Sequence, residues 1–140
     1  MYMDGMDENA LKKNIIMSKV LTVRQPYALM LVSGQKHHEF RSWSLPIWHR
    51  QSTILIHAAA KDADSIIGCS SVEFEDNLKL AKEDNLYNAI IGEVVFGEPR
   101  KMKDGRYAWP VLKAEKYKDP IRNVKGKLSI WNFEQQQSNQ

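Results

Sequence analysis

Residues 33–43 read SGQKHHEFRSW, and the way this stretch is extended decides the rest of the chain. Lys36, His37, His38, Glu39 and Arg41 fall within six positions, with Trp43 two residues further on. The stretch is too polar for a core strand and too aromatic at its end for an ordinary loop. Side chains alternate faces along an extended backbone. Extended over 37–43, the chain puts His37, Glu39, Arg41 and Trp43 on one face. His38, Phe40 and Ser42 take the other, with Phe40 as the anchor facing the core, and Lys36 stands at the entrance. The first face then carries an indole that can stack, a guanidinium for phosphate or carbonyl oxygen, and a carboxylate that accepts amino protons, a set that suits a planar polar ligand. A surface ion-pair cluster beside an interfacial tryptophan has the same composition.

Outward from this stretch, the pattern predicts one domain. Lys19–Arg24 is a strand by β-branched content. Pro26 suits the first turn of a helix over 26–33, with Gln25 extended before it and Gly34 as a left-handed cap. Residues 36–43 form a second strand, 44–51 a loop holding Pro46, and 52–59 a buried strand. A short helix or loop around 62–70 leads to an amphipathic helix over 73–86, whose apolar face is Phe74, Leu78, Ala81 and Leu86. Residues 88–98 are a strand in which Gly92 marks a bulge or a close backbone approach. Residues 105–117 are a strand placed at an edge by Pro110, and 127–134 close the domain. Residues 1–16 read as an extension outside the core, with a short helical stretch at Glu8–Ile16, and 134–140 as a disordered polar tail. Five to six strands with two or three helices predict a mixed α+β sheet or open barrel rather than a doubly wound fold.

The 140 residues suffice for one domain with its own core. The longest apolar run, Tyr27–Val32, is far short of the roughly 20 residues of a membrane span, so no membrane association is expected. One cysteine, Cys69, excludes an internal disulfide and fits a reducing cytoplasm. Net charge is only +3, but it is unevenly spread. Residues 19–61 carry six Lys/Arg against Glu39 alone, 62–98 carry nine acids against two lysines, and 99–127 carry ten Lys/Arg against three acids. Two basic blocks around an acidic one predict a basic face that attracts a polyanion. A solvated, balanced surface has the same count. His37 and His38 cannot face one metal from a strand, and His49, His57 and Cys69 have no zinc spacing, so neither a metal nor a cofactor is expected. No phosphate-binding glycine loop or Gly-x-Ser-x-Gly elbow is present.

GQKHHEFRSW also resembles the Gly-x-Lys-x-x-Glu-x-Arg signature of the ASCH domain family. VLTVRQPYA resembles that family's opening strand and helix start, and ILIHAAAK its strand ending in His-Ala-Ser-Lys. AIIGEVVF resembles its Gly-Ile-Ile-Gly strand, and the segment from YAWPVLK through PIRNVKG to IWNF its C-terminal part. The resemblance covers residues 17–133 in order. It implies a PUA-like open barrel of five to six strands, with a helix between the first two strands and a cleft beside it. It further implies RNA binding, with some members acting on RNA or modified nucleosides. In the amidohydrolases among them the Glu39 position is a threonine, so the nucleophilic hydroxyl is missing here. The family often has Trp at Tyr27, and a Gly where Leu128-Ser129 precede Trp131.

The expected function is an RNA- or nucleotide-binding module. Its cleft is lined by Gln25, Lys36, Glu39, Arg41 and Trp43 and bordered by His57 and Lys61, with Trp131 in the core or the cleft wall. The alternative is a hydrolase in the same cleft, a ribonuclease or an amidohydrolase-like enzyme, with Lys36 stabilising an oxyanion or acting as base and Glu39 activating water. A third reading makes the acidic helix a docking surface for a protein.

Overall fold

A computed structural model describes residues 15–136. Its elements run β1 (Ile15–Gln25), α1 (Tyr27–Val32), β2 (His38–Arg41), a 3₁₀ turn (Ile47–His49), β3 (Thr53–Asp62), α2 (Ser71–Glu83), β4 (Ala89–Phe96), β5 (Arg100–Lys101), β6 (Tyr107–Ile121) and β7 (Ile130–Gln136). The fold is mixed α+β: a seven-stranded sheet that does not close, with two helices, consistent with a PUA-like open barrel. The strand order is β2-β6-β4-β3-β1-β7, and β5 pairs with β6. β1 and β3 are parallel. A parallel pair needs a long crossover, and residues 26–52 supply it with α1 and β2.

The central strands are buried runs rather than alternating ones, as strands covered on both faces should be. Ile54 to Ala58 are all buried. One face packs on α1, whose Ala28, Leu29, Met30, Leu31 and Val32 are all buried. Ala28, Leu29, Leu31 and Val32 join Phe96 and Trp109 in the main core. The other face carries a smaller cluster of Val20, Leu55, Ile90 and Trp131. Trp131 therefore belongs to the core, at 8% exposure.

Two glycines are set by close approach. At Gly92 a Cβ would strike the Glu115 carbonyl and lie 2.8 Å from Val32 Cβ. The registers of β4 with β3 and with β6 also shift beside it, so the expected bulge and the expected close approach occur together. At Gly126 a Cβ would lie 2.8 Å from His57 Cε1 and 2.9 Å from Thr22 Oγ1.

Several boundaries differ from the sequence reading. β1 opens at Ile15, paired with Gln136, and β7 runs through Glu134 to Gln136. Residues 15–16 and 134–136 thus join the sheet, because each strand supplies the other's hydrogen bonds; the rest of the predicted Glu8–Ile16 helix lies outside the described residues. The strand bearing Pro110 is not an edge strand. β6 pairs with β2 through Tyr107–Pro110 and with β4 through Val111–Ile121. Pro110 sits where β6 changes partner. There Val111 N donates to His37 O, and Pro110 O accepts from Gly97 N, so the missing proline N–H removes no bond to β2. Phe40 is half-buried rather than a core anchor, and Glu39 is the buried member of the pair. The 62–70 segment is the end of β3 followed by a loop, and α2 starts on a capping box: Glu73 N donates to Ser70 Oγ and Ser70 N donates to Glu73 Oε1.

Candidate functional site

A cleft of about 480 Å³ opens where the C-terminal end of β1 meets β2, the loop after β3 and the β6–β7 loop. Its size falls in the range of about 300–1,000 Å³ usual for small-ligand sites. β2 contributes Glu39, Phe40 and Arg41, with Lys36 just before it. Glu39 Oε1 accepts from Lys36 Nζ at 3.1 Å, and Oε2 accepts from Arg41 Nε at 2.7 Å. Side-chain exposure is 6% for Glu39, 9% for Lys36 and 25% for Arg41. The three charges form a largely buried triad of net charge +1.

Each cation of the triad is fixed by further partners. Lys36 Nζ donates to His38 O at 2.8 Å and lies 5.2 Å from the Tyr27 ring centroid and 5.0 Å from that of Phe40. These two rings sheathe a charge that burial would otherwise penalise. Arg41 Nη2 donates to Thr22 O at 3.0 Å, tying β2 to β1 across the cleft. Donors remain on the Arg41 guanidinium, which has five N–H groups, and lone pairs remain on Glu39. The triad therefore presents donors and acceptors to the cleft on an immobilised frame.

Arg24, Arg106 and Lys127 complete the charged lining, with Asp64 the other carboxylate. Counting the triad, five cations face two carboxylates. Arg106 is 2.9 Å from Asp104 and lies over the Phe40 ring at 5.3 Å. Arg24 pairs with Asp64 at 3.2 Å. The loop wall is latched by Tyr27, whose hydroxyl donates to Ser65 O at 2.7 Å and accepts from Ile67 N at 2.6 Å. Burial pushes the Tyr27 phenol pKa up, so the hydroxyl keeps its proton for the first of these bonds.

The other residues expected at the cleft serve its frame instead. Gln25 is fully buried and does not line the cleft. Its Oε1 accepts from Leu29 N at 3.0 Å and its Nε2 donates to Leu86 O at 2.8 Å. Pro26 at the N-cap has no polar side chain, so Gln25 satisfies the helix start from one residue earlier. Trp43 turns away from the cleft and packs edge-on against Trp109, at 4.8 Å between ring centroids. β2 ends at Arg41, so the alternation that would carry Trp43 onto the Glu39 face stops before it. Lys61 is exposed and does not line the cleft.

His57 is buried beneath the floor. Its Nε2 lies 2.6 Å from Val124 O, and its Nδ1 3.2 Å from Thr22 Oγ1. A carbonyl only accepts, so Nε2 carries the proton and Nδ1 accepts from the Thr22 hydroxyl. Thr22 in turn accepts from Trp131 Nε1 at 3.0 Å. Burial lowers the His57 pKa, partly offset by the Val124 bond. The imidazole is thus a neutral peg joining β1, β3 and the β6–β7 loop. Sequence reasoning placed Arg106 and Lys127 in a basic block but had no means of bringing them to this cleft. Arg24 likewise counted only toward a basic block, Tyr27 only as a family position, and Asp64 lacked any signal of its own. Among the described residues there is no cluster of three metal-ligating side chains, and no helix is long and apolar enough to cross a membrane.

The family model for the ASCH domain matches residues 21–90, half of the 140-residue chain. The chain belongs to the ASCH domain family. This is a PUA-like family usually linked to RNA binding. The match carries the whole Lys36–Glu39–Arg41 triad, whereas Arg106 and Lys127 lie beyond it. No curated protein matches the chain. The loop before Trp131, where an ASCH chain often has glycine, holds Ser129 at φ +58°. The turn keeps the left-handed backbone that a glycine would favour, without the glycine.

Proposed function

We propose that this ASCH chain is an RNA- or nucleotide-binding module that takes one base, or one modified nucleoside, into the cleft above the triad. The observation that carries this reading is the triad itself. It is a buried carboxylate clamped by Lys36 and Arg41, in a cleft with room for one base and a rim supplied by Arg24, Arg106 and Lys127. The free lone pairs of Glu39 accept from an exocyclic amine, the spare N–H groups of Arg41 donate to a carbonyl or phosphate oxygen, and the rim cations meet the backbone. Trp43 is out of reach, so stacking falls to the cleft rings of Tyr27 and Phe40 and to the Arg106 guanidinium. Recognition is favoured because each Glu39 oxygen is held by a cation, at 3.1 and 2.7 Å, which fixes the carboxylate as a hydrogen-bond acceptor; a general base would use the same remaining lone pairs on water. The single cysteine and absence of an internal disulfide support a cytoplasmic setting.

The test is incubation with short RNAs and a panel of modified nucleosides, followed by mass spectrometry of bound and converted species. Retention of an unchanged ligand is expected. Conversion overturns the module in favour of a hydrolase, and failure to retain any member of the panel overturns the nucleotide reading.

A further inference from the structure

The β6–β7 loop ends in a feature that base recognition in the cleft does not use. Leu128 is 93% exposed, the most exposed large apolar side chain among the described residues, and it stands on the cleft rim between Lys127 and Ser129. The loop beneath it is pinned. Val124 O accepts from His57 Nε2 and Val124 N donates to Asn88 O at 2.9 Å. Gly126 packs directly on His57 and Thr22, and Lys127 Nζ lies 5.9 Å from the Trp131 ring centroid. Ile130 then enters the sheet opposite Leu21. A leucine held in water on a braced loop contributes nothing to packing here.

We propose that Leu128 is a wedge that enters a base stack and fills the gap left when one nucleotide turns into the cleft. This rests on the reading of the cleft as a base site, and it specifies the partner: a stacked nucleic-acid strand rather than a free nucleoside. Three observations select a strand over an apolar protein surface. Leu128 sits on the rim of the cleft that receives the base. Lys125 and Lys127 precede it on the same loop, so cations for phosphate stand next to the apolar side chain. Arg24 and Arg106 line the same cleft and continue its cationic rim. Proteins that unstack a base step insert an apolar side chain of this kind, and extruding a base costs unstacking energy that the inserted group offsets.

The test compares wild type, Leu128→Ala and Leu128→Met on two probes: the four nucleoside monophosphates, and a set of short RNAs with each base in turn beside a 2-aminopurine reporter. Wild type should raise the reporter's fluorescence as the neighbouring base leaves the stack. Leu128→Ala should bind the preferred RNA at least about fivefold more weakly and lose the fluorescence rise, since stack replacement is worth a factor of this order. It should hold the monophosphate as wild type does and unfold at the same temperature, because Leu128 packs on nothing. Leu128→Met should restore both RNA signals. Equal losses on monophosphate and RNA would make Leu128 a cleft wall and overturn the wedge, as would an unchanged RNA affinity and fluorescence; an apolar protein partner is then left as the occupant of this rim. If wild type binds neither probe, the base-site reading fails and the wedge with it.

Discussion

Glu39→Gln is the perturbation that most directly weighs the triad. The substitution keeps the shape of the side chain and removes its charge. In an exposed ion pair such a change costs roughly 0–1 kcal/mol. Glu39 is not exposed: its side chain retains 6% of its accessible surface, and Lys36 retains 9%. The carboxylate neutralises two cations, one on each oxygen. A glutamine offers a single acceptor and turns N–H donors toward the other cation. Two positive charges, one of them almost fully buried, then face each other without a counter-charge. Breaking a buried pair by removing one partner costs about 3–5 kcal/mol. For a domain of this size each kcal/mol is worth roughly 2–8 °C, so unfolding should occur at least about 6 °C lower. Thermal unfolding followed by circular dichroism, with urea titration in parallel, measures this. Lys36→Met combined with Glu39→Gln should recover at least about 1 kcal/mol relative to the sum of the single changes, because the stranded ammonium is gone. A Glu39→Gln protein that unfolds within a few degrees of wild type would refute the buried-triad argument.

Tyr27→Phe should free the cleft loop, since the hydroxyl bonds both Ser65 O and Ile67 N; amide exchange at Ile67 should accelerate, and stability should fall by about 1–3 kcal/mol. Gly92→Ala forces a methyl against the Glu115 carbonyl and Val32, and urea unfolding should register a loss of at least about 1–3 kcal/mol. His57 has a lowered pKa in the fold, so the unfolded chain takes up its proton first as pH falls. Its contribution to stability is complete above the ordinary histidine value of about 6.5 and is lost as pH falls from there through the lowered folded pKa. His38 and His49 are lowered too and act with the same sign. His57→Gln should therefore be less stable than wild type near neutrality, with a gap that narrows toward pH 5 when unfolding is measured across that window; a gap that is constant or widens on acidification contradicts a neutral buried imidazole.

Local chemistry is what a sequence displays, and here it was enough for the family and much of the fold. The order Gly-x-Lys-x-x-Glu-x-Arg placed the triad, because Lys36, Glu39 and Arg41 need only a short extended segment to meet. Pro26 and Gly34 bracketed α1, the run Ile54–Ala58 announced a strand covered on both faces, and Gly92 marked a close approach. Ser70-x-x-Glu73 is equally legible as a capping box. Tertiary structure decided the rest, since those outcomes depend on which distant segments share a boundary. Pro110 pointed to an edge strand, yet a strand that changes partner can hold a half-buried proline where no hydrogen bond to β2 is owed. Strict alternation carried Trp43 to the cleft and Phe40 to the core; β2 stops at Arg41, and the pull of Trp109 on one ring and the cations Lys36 and Arg106 on the other reversed the two. Gln25 and His57 looked like ligand contacts because they are polar residues near a cleft, but a buried polar group must first satisfy its own hydrogen bonds, and theirs are spent on α1, Leu86, Thr22 and Val124. Arg106 and Lys127 lie 65 and 86 residues beyond Arg41. Only the folding of β6 and β7 against β2 and β1 brings their charges to one rim.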